Sequence, residues 1–135
     1  MEAYEKIVRD AIAGAPFARK LGITCEQVEV GRVVMRLPWA HEHTTVGDVV
    51  HGGAIAVLVD VAATGACWAT PDLAPDARGT TIGLSLSFLN AGRAQDLLAE
   101  ARVVQRGRSI VTAEVDVRGR DGKHVARALV TYKKS

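Results

Sequence analysis

Hydrophobic residues recur along the chain with two different spacings, and these spacings predict where helices and strands lie. Residues 1–13 carry apolar side chains at helical intervals, which predicts a short amphipathic helix that ends at Gly14 and Pro16. The segment from His51 to Pro71 is apolar on nearly every side and rich in alanine, which favours a long helix over a strand. A helix of this kind must be buried by other elements packed around it.

The remaining apolar positions follow patterns that are typical of strands. A hairpin is predicted over residues 23–37, with Gly31 at its turn, and a loop is predicted over residues 39–50. After the long helix and a loop over residues 72–79, the pattern predicts four more strands, at residues 80–90, 94–105, 109–118 and 124–133. The connections between these strands are short, and the last contains Asp121-Gly122, so the strands are expected to be antiparallel neighbours.

This order of elements predicts an α+β fold. We expect a curved antiparallel sheet of about six strands wrapped around one long central helix, plus a short N-terminal helix. That arrangement is the hotdog fold. A chain of 135 residues fits one domain with a real hydrophobic core, so a single domain over 1–135 is predicted.

Composition and charge narrow the possible partners. Charged residues make up 24% of the chain, the net charge is only +2, and no dense Lys/Arg run occurs, so no nucleic acid partner is expected. No stretch approaches the roughly 20 apolar residues of a membrane span, so no membrane partner is expected. The N-terminus does not resemble a secretory signal, and the two cysteines are predicted to be free thiols, which together predict a cytoplasmic protein.

Asp60 is the first residue that points to chemistry, because it lies within the apolar central helix. A buried carboxylate is costly unless it is paired or hydrogen-bonded. In the functional interpretation, Asp60 is a general base or a nucleophile whose burial tunes it. In the structural interpretation, it faces a strip of solvent or accepts hydrogen bonds from a neighbouring chain.

The second feature is His51-Gly52-Gly53 at the start of the same helix. Glycines there leave the backbone N–H groups unobstructed, and the helix start carries partial positive charge, which suits an oxyanion hole. The alternative is that the glycines only permit a tight turn and that His51 merely caps the helix. The tripeptide alone does not decide between these interpretations.

The spacing of these residues predicts an oligomer. Gly52 and Asp60 are eight residues apart, which is about 12 Å along a helix, so they cannot both reach one carbonyl group. If both act, a two-fold axis must bring Gly52 of one chain to Asp60 of another. Thr64, one turn after Asp60, is expected either to orient the acid or hold a water, or to bond back to the carbonyl of the preceding turn.

No metal and no other cofactor is predicted. His41, Glu42, His43 and His51 lie close together in the chain, but the cysteines lie outside this region and no helical pair of histidines is present. His41 and His43 are expected to be loop or interface residues.

Three segments together resemble the PaaI-like branch of the hotdog thioesterases, which includes phenylacetyl- and 4-hydroxybenzoyl-CoA thioesterases. They are GDVVHGGAIAVLVDVAATGA (47–66), TTIGLSLSFLNAG (80–92) and VVQRGRSIVTAEVDVRGRDGKHVARA (103–128). The resemblance covers nearly the whole chain. It implies an enzyme that hydrolyses a small aryl or short/medium-chain acyl-CoA to the free acid and CoA, as a homodimer or a dimer of dimers.

The resemblance also assigns roles to individual residues. It implies that Gly52 donates its N–H to the thioester carbonyl and that Asp60 of the partner subunit attacks the carbonyl or activates water. Thr64 or Thr81 would position that water, and His51 would shape the helix start. The substrate-binding residues that it implies are Thr45, Gly53, Ser85 and Arg108, the last of these as a phosphate contact.

The chain departs from the family pattern at two positions. Thr45 stands where the family usually has Asn or Gln, and Ala91 stands where a proline is common, which puts the substrate class in doubt. Trp39, Trp68, Phe17 and Phe88 could line an acyl pocket, although core packing explains aromatic residues more often. The acyl group itself is not determined by these observations.

Two other functions fit the same residues. A hotdog hydratase or dehydratase would use a His and an acid across the dimer, although the sequence around His51 does not resemble the motifs of those enzymes. A non-catalytic acyl-CoA-binding module would keep the fold without chemistry. The buried Asp60 argues against it, because a binder gains nothing from such an acid.

Overall fold

The computed structural model describes residues 1–135, and its helices follow the predicted order with one addition. Helix α1 (Ala3–Ile7) continues as a π-helical turn (Val8–Ile12), so the helix predicted over residues 1–13 is present but changes its winding. Pro16 does not only end this segment, as predicted. It occupies the first turn of an additional helix, α2 (Pro16–Lys20), where its missing N–H costs nothing. The long helix α3 spans Gly52–Trp68, after a 3-10 turn at His41–His43.

Six strands form one antiparallel sheet in the order β1-β2-β4-β5-β6-β3. Their bounds are β1 Thr24–Glu29, β2 Arg32–Leu37, β3 Gly79–Phe88, β4 Leu97–Arg106, β5 Ile110–Gly119 and β6 His124–Lys134. β4 starts later than predicted, after a turn in which Ala94 has a φ of 48°. The sheet is wrapped around α3, so the predicted hotdog fold is confirmed.

The core lies between α3 and the concave face of the sheet. Leu58, Val59, Ala62, Ala63 and Ala66 of α3 are completely buried. Gly65 allows the closest approach, because a Cβ at this position would lie only 2.9 Å from Met35 Cε of β2. The small side chains on α3 therefore set its distance from the sheet. None of the helices combines the length and the hydropathy that crossing a membrane would require.

Strand β3 is an edge of the sheet, and its position matters for the site. It pairs only with β6, so its other side has no partner strand in the chain. Three of its apolar side chains are strongly exposed: Ile82 by 54%, Leu84 by 40% and Phe88 by 56%. An unpaired strand edge with exposed apolar residues is a template for pairing with another chain.

Candidate active site

Asp60 and Thr81 form the chemical centre of the candidate site. Asp60 lies in the middle of α3, and the Thr81 hydroxyl on β3 donates a hydrogen bond of 2.6 Å to Asp60 Oδ1. Both residues line a mainly apolar cavity of about 530 Å³, together with Val57 and Leu84. Asp60 therefore faces a cavity rather than the closed core, and only one of its oxygens is held within the chain.

A β-bulge in β3 is what aims Thr81 at the helix. The pairing of β3 with β6 shifts register between Thr81 and Gly83, so Ile82 is the extra residue. In a regular strand, Thr81 and Leu84 would point to opposite faces because side chains alternate. The bulge lets both of them face the cavity that contains Asp60.

The start of α3 provides a free backbone donor at Gly52. His51 caps the helix by accepting a hydrogen bond of 2.7 Å from the Gly53 N–H at its Nδ1. The Ala54 N–H donates to the His51 carbonyl, while the Gly52 N–H has no acceptor within the chain. Of the two glycines, Gly52 is therefore the one whose N–H is available to a ligand, and this helix end is electropositive.

Close packing explains the glycine at position 53 better than the one at position 52. A Cβ at Gly53 would lie 2.9 Å from His51 Nδ1, the atom that caps the helix. A Cβ at Gly52 would lie 3.1 Å from Phe88 Cζ, but this is the far end of an exposed side chain that can move aside. Gly53 therefore serves the cap, although the resemblance implies a substrate-binding role for it. His51 caps the helix, as one of the two interpretations of the tripeptide proposed.

Within one chain, Gly52 and Asp60 do not meet. Both lie on α3, eight residues apart, which corresponds to about 12 Å along the axis. They also line different cavities: Gly52 borders one of about 380 Å³ that includes Thr45 and Phe88, whereas Asp60 borders the cavity at Thr81. One chain therefore holds two separate candidate half-sites, one at Gly52 and one at Asp60.

The other predicted residues lie at different distances from this centre. Thr45 lies beside Gly52, in the same cavity. The hydroxyl that contacts Asp60 is that of Thr81 and not that of Thr64. Ser85 pairs with Leu129, while its neighbour Leu84 pairs with the buried Val130, so Ser85 projects from the face of the sheet opposite to α3.

Arg108 lies in a third cavity, at the C-terminal end of α3. This cavity has a volume of about 530 Å³ and is lined by four basic side chains, Arg78, Arg106, Arg108 and Lys134, and by two acidic ones, Asp72 and Asp76. Arg106 also donates a hydrogen bond of 2.9 Å to the Cys67 carbonyl at the end of α3. The prediction of a single basic residue at this place missed the cluster, because Arg78 and Lys134 are brought to it only by the pairing of β3 with β6.

The aromatic residues separate into two groups. Phe17 and Phe88 line the cavities beside Asp60 and Gly52. The Trp39 indole donates a hydrogen bond to the Asp48 carbonyl, and the Trp68 indole donates one of 2.8 Å to the Tyr132 hydroxyl. Burial of Tyr132 raises the pKa of its phenol.

The histidines and cysteines do not form a second reactive centre. His43 Nδ1 contacts the Pro38 carbonyl at 2.9 Å, and no three His, Cys, Asp or Glu side chains converge as metal ligands do. Burial raises the pKa of the Cys67 thiol to about 11, so this thiol is protonated at neutral pH and is a poor nucleophile.

An antiparallel sheet wrapped around one helix, with an acid at the middle of that helix and a glycine at its start, defines a protein of the hotdog class. Residues 47–126 match the family model described as "Thioesterase superfamily", and because this is more than half of the chain, the chain belongs to that superfamily. The prediction of a thioester hydrolase is thereby confirmed.

Three known proteins illustrate the likeness. The medium/long-chain acyl-CoA thioesterase YigI of Salmonella typhimurium is 28% identical over 87% of this chain and 84% of its own length. A thioesterase family protein from Silicibacter pomeroyi is 25% identical, covers 98% of both chains and superimposes with a TM-score of 0.90. The PaaI protein from the phenylacetic acid degradation operon of E. coli is 24% identical, covers 92% of this chain and 88% of its own, and has a TM-score of 0.77, which shows the shared fold.

Proposed function

We propose that this protein hydrolyses a small aryl or short/medium-chain acyl-CoA at the interface of a homodimer. Gly52 of one protomer would bind the thioester carbonyl, and Asp60 of the partner subunit would carry the chemistry. The observation that carries this proposal is the Asp60–Thr81 pair at a mainly apolar cavity. A sequence relative named as a medium/long-chain acyl-CoA thioesterase supports acyl-CoA as the substrate, although it does not support the short chain length.

The free edge of β3 supports the dimer. If two β3 strands pair antiparallel across a two-fold axis, the C-terminal end of one strand lies opposite the N-terminal end of the other. Gly52 lies against Phe88 at the C-terminal end, and Asp60 is bonded to Thr81 at the N-terminal end. This pairing would therefore join the two half-sites of different chains and would cover the exposed apolar residues of β3.

Hydrolysis follows from these positions. The carbonyl oxygen accepts the Gly52 N–H, and the electropositive start of α3 stabilises the negative charge that develops on it. Asp60 of the partner subunit either attacks the carbonyl carbon or takes a proton from a water that attacks it. In both routes the C–S bond breaks as the tetrahedral intermediate collapses, and CoA leaves as a thiolate that then takes up a proton. If Asp60 attacks, water then cleaves the mixed anhydride that it has formed, which releases the free acid and restores the carboxylate.

Thr81 would position Asp60 in this reaction. Its hydroxyl proton is donated to Asp60 Oδ1, which leaves Oδ2 free to attack or to accept a proton. The lone pairs of the same hydroxyl can accept a hydrogen bond from the attacking water.

The basic cavity suits the phosphates of CoA. Arg108 and Arg106 face Arg78 and Lys134 across it, and the last two flank the N-terminal end of β3. In the proposed dimer this end lies beside the partner's Gly52. The substrate would thus extend from Gly52 of one protomer toward the basic cavity of its partner, where positive charge favours phosphate.

Release of free thiol from acyl-CoA tests the function. Wild type should release CoA from benzoyl- or hexanoyl-CoA, and Asp60→Asn should reduce kcat by at least about a hundredfold, because a positioned acid–base group contributes on that scale. Asp10→Asn changes an exposed acid that lines neither the cavities at Gly52 and Asp60 nor the basic cavity, and it should leave the rate unchanged. Full activity in Asp60→Asn would refute the mechanism, and stable binding of intact acyl-CoA without release would favour a binding module.

A further inference from the structure

The cavity that contains Asp60 adjoins a second cavity, and Phe17 lies where the two meet. The second cavity has a volume of about 330 Å³ and lies toward the start of α3, at His51 and Gly53. Phe17 of α2 and Val57 of α3 line both cavities. The two cavities therefore form one groove along α3, which we call the acyl groove, with Phe17 and Val57 at its waist.

The fold holds Phe17 in this exposed position. The neighbouring Ala18 is only 2% exposed and anchors α2 against the core, whereas Phe17 is 62% exposed. A phenyl ring left in water forgoes the favourable free energy that burial would provide. An exposed Phe at the waist of a groove that leads to a reactive carboxylate is therefore placed to contact an apolar ligand.

Both cavities of the acyl groove expose mainly apolar surface. Seven of the nine residues that line the cavity at Asp60 are hydrophobic, and the second cavity is lined by the apolar side chains of Phe17, Leu21, Ala54 and Val57. An apolar chain that starts at Asp60 thus meets a favourable lining on both sides of Phe17, and the phenyl ring between the two cavities is what it has to pass.

We propose that Phe17 is a specificity-determining residue that limits the length of the acyl group; this inference rests on the proposed function. Val57 lies about 4.5 Å from Asp60 along α3, and Gly53 lies about 10 Å from it. An aryl group or a short chain fits in the first cavity, before the waist. A longer chain must pass the Phe17 ring to enter the second cavity.

Steady-state kinetics with acyl-CoAs of different length test this role. Phe17→Ala should raise the ratio of kcat/KM for dodecanoyl-CoA to that for hexanoyl-CoA by about tenfold or more, the scale on which an apolar pocket discriminates between chains. Phe17→Trp should lower the same ratio. Val30→Ala is the matched control, because Val30 is 60% exposed but lies in the β1–β2 turn, and it should leave the ratio unchanged.

Other outcomes overturn the inference in distinguishable ways. An unchanged ratio in both Phe17 variants, with normal hydrolysis of hexanoyl-CoA, refutes the role of Phe17 and leaves the proposed function intact. An equal loss for every acyl group together with dissociation in gel filtration shows that Phe17 is an interface packing residue instead. If wild type hydrolyses no acyl-CoA, the proposed function is refuted and the inference fails with it.

Discussion

The two edges of the sheet are built in opposite ways. β1 presents mainly polar side chains, including Glu26, Gln27 and Glu29. β3 presents Ile82, Leu84 and Phe88, which are all strongly exposed. Each strand contains one register shift, so the difference lies in the side chains. Charged side chains protect a strand edge from pairing, whereas exposed apolar residues invite it. The contrast indicates that one edge is kept apart from other chains and that the other is available to a second copy.

The reactive groups follow the same division. Thr81, Asp60 and Gly52 all lie beside β3, and β1 lies at the far side of the sheet. If two chains pair through β3 as proposed, the exposed edge is where the candidate half-sites of the two chains meet. The exposed apolar edge of β3, which by itself would favour aggregation, thus has a role in the proposed chemistry.

The largest effect is expected when a charge is placed on the β3 edge, and the same change on the β1 edge is the control. Ile82→Lys should prevent pairing through β3. Because this separates the Gly52 N–H of one chain from the Asp60 carboxylate of the other, thiol release should fall by more than the roughly 10²–10³-fold expected for loss of the oxyanion donor alone. Analytical ultracentrifugation should show a monomer. Thr24→Lys on β1 should remain dimeric and active, and a dimeric, active Ile82→Lys protein would refute the role of the β3 edge.

Mixing two inactive variants tests whether Gly52 and Asp60 act together from different chains. Gly52→Pro removes the free N–H, and proline is tolerated at the first position of a helix, so we expect a folded protein with kcat lowered by about 10²–10³-fold. Refolding it together with Asp60→Asn should restore activity, because a mixed dimer has one site with both native groups. If the mixture stays inactive while mixed dimers form, the two groups do not act across the interface.

A smaller effect is expected at Thr81. Thr81→Val removes the hydrogen bond to Asp60 and should lower kcat by about 10–100-fold, since hydrogen bonds to charged groups are worth about 1.5–3 kcal/mol. Thr80→Val is the matched control, because the adjacent hydroxyl makes no contact with Asp60 and its loss should change kcat little. Equal effects of the two substitutions would assign Thr81 a structural role only, and circular dichroism would check the fold of both.

Local pattern was sufficient to predict most of the fold. The apolar run that follows His51 predicts α3, because a helix without a polar face has to be enclosed. The alternation in residues 109–118 predicts β5, whose side chains indeed alternate between buried and less buried positions. The local pattern does not predict α2, because a proline is common both after the end of a helix and in the first turn of the next one. Pro16 does both, and only the path of the chain after it shows that a second helix begins there.

The candidate site could be predicted only in part. A carboxylate in an apolar helix and glycines at its start are visible in the sequence, and both lie at cavities. The sequence does not show whether Thr64 or Thr81 contacts Asp60, since either hydroxyl could reach the carboxylate. The bulge at Ile82 decides it by turning Thr81 toward Asp60, and a bulge of this kind leaves no clear signal in the local pattern.

The sequence by itself determined the elements and the reactive residue types, because periodicity and the cost of burying charge act locally. Only the tertiary structure decided which groups meet. The placement of β3 beside β6 joins Thr81 to Asp60 and gathers Arg78 with Arg108, and the packing of α2 places Phe17 on the acyl groove. These contacts depend on long-range pairing and register, and a residue's own neighbours in the chain do not specify them.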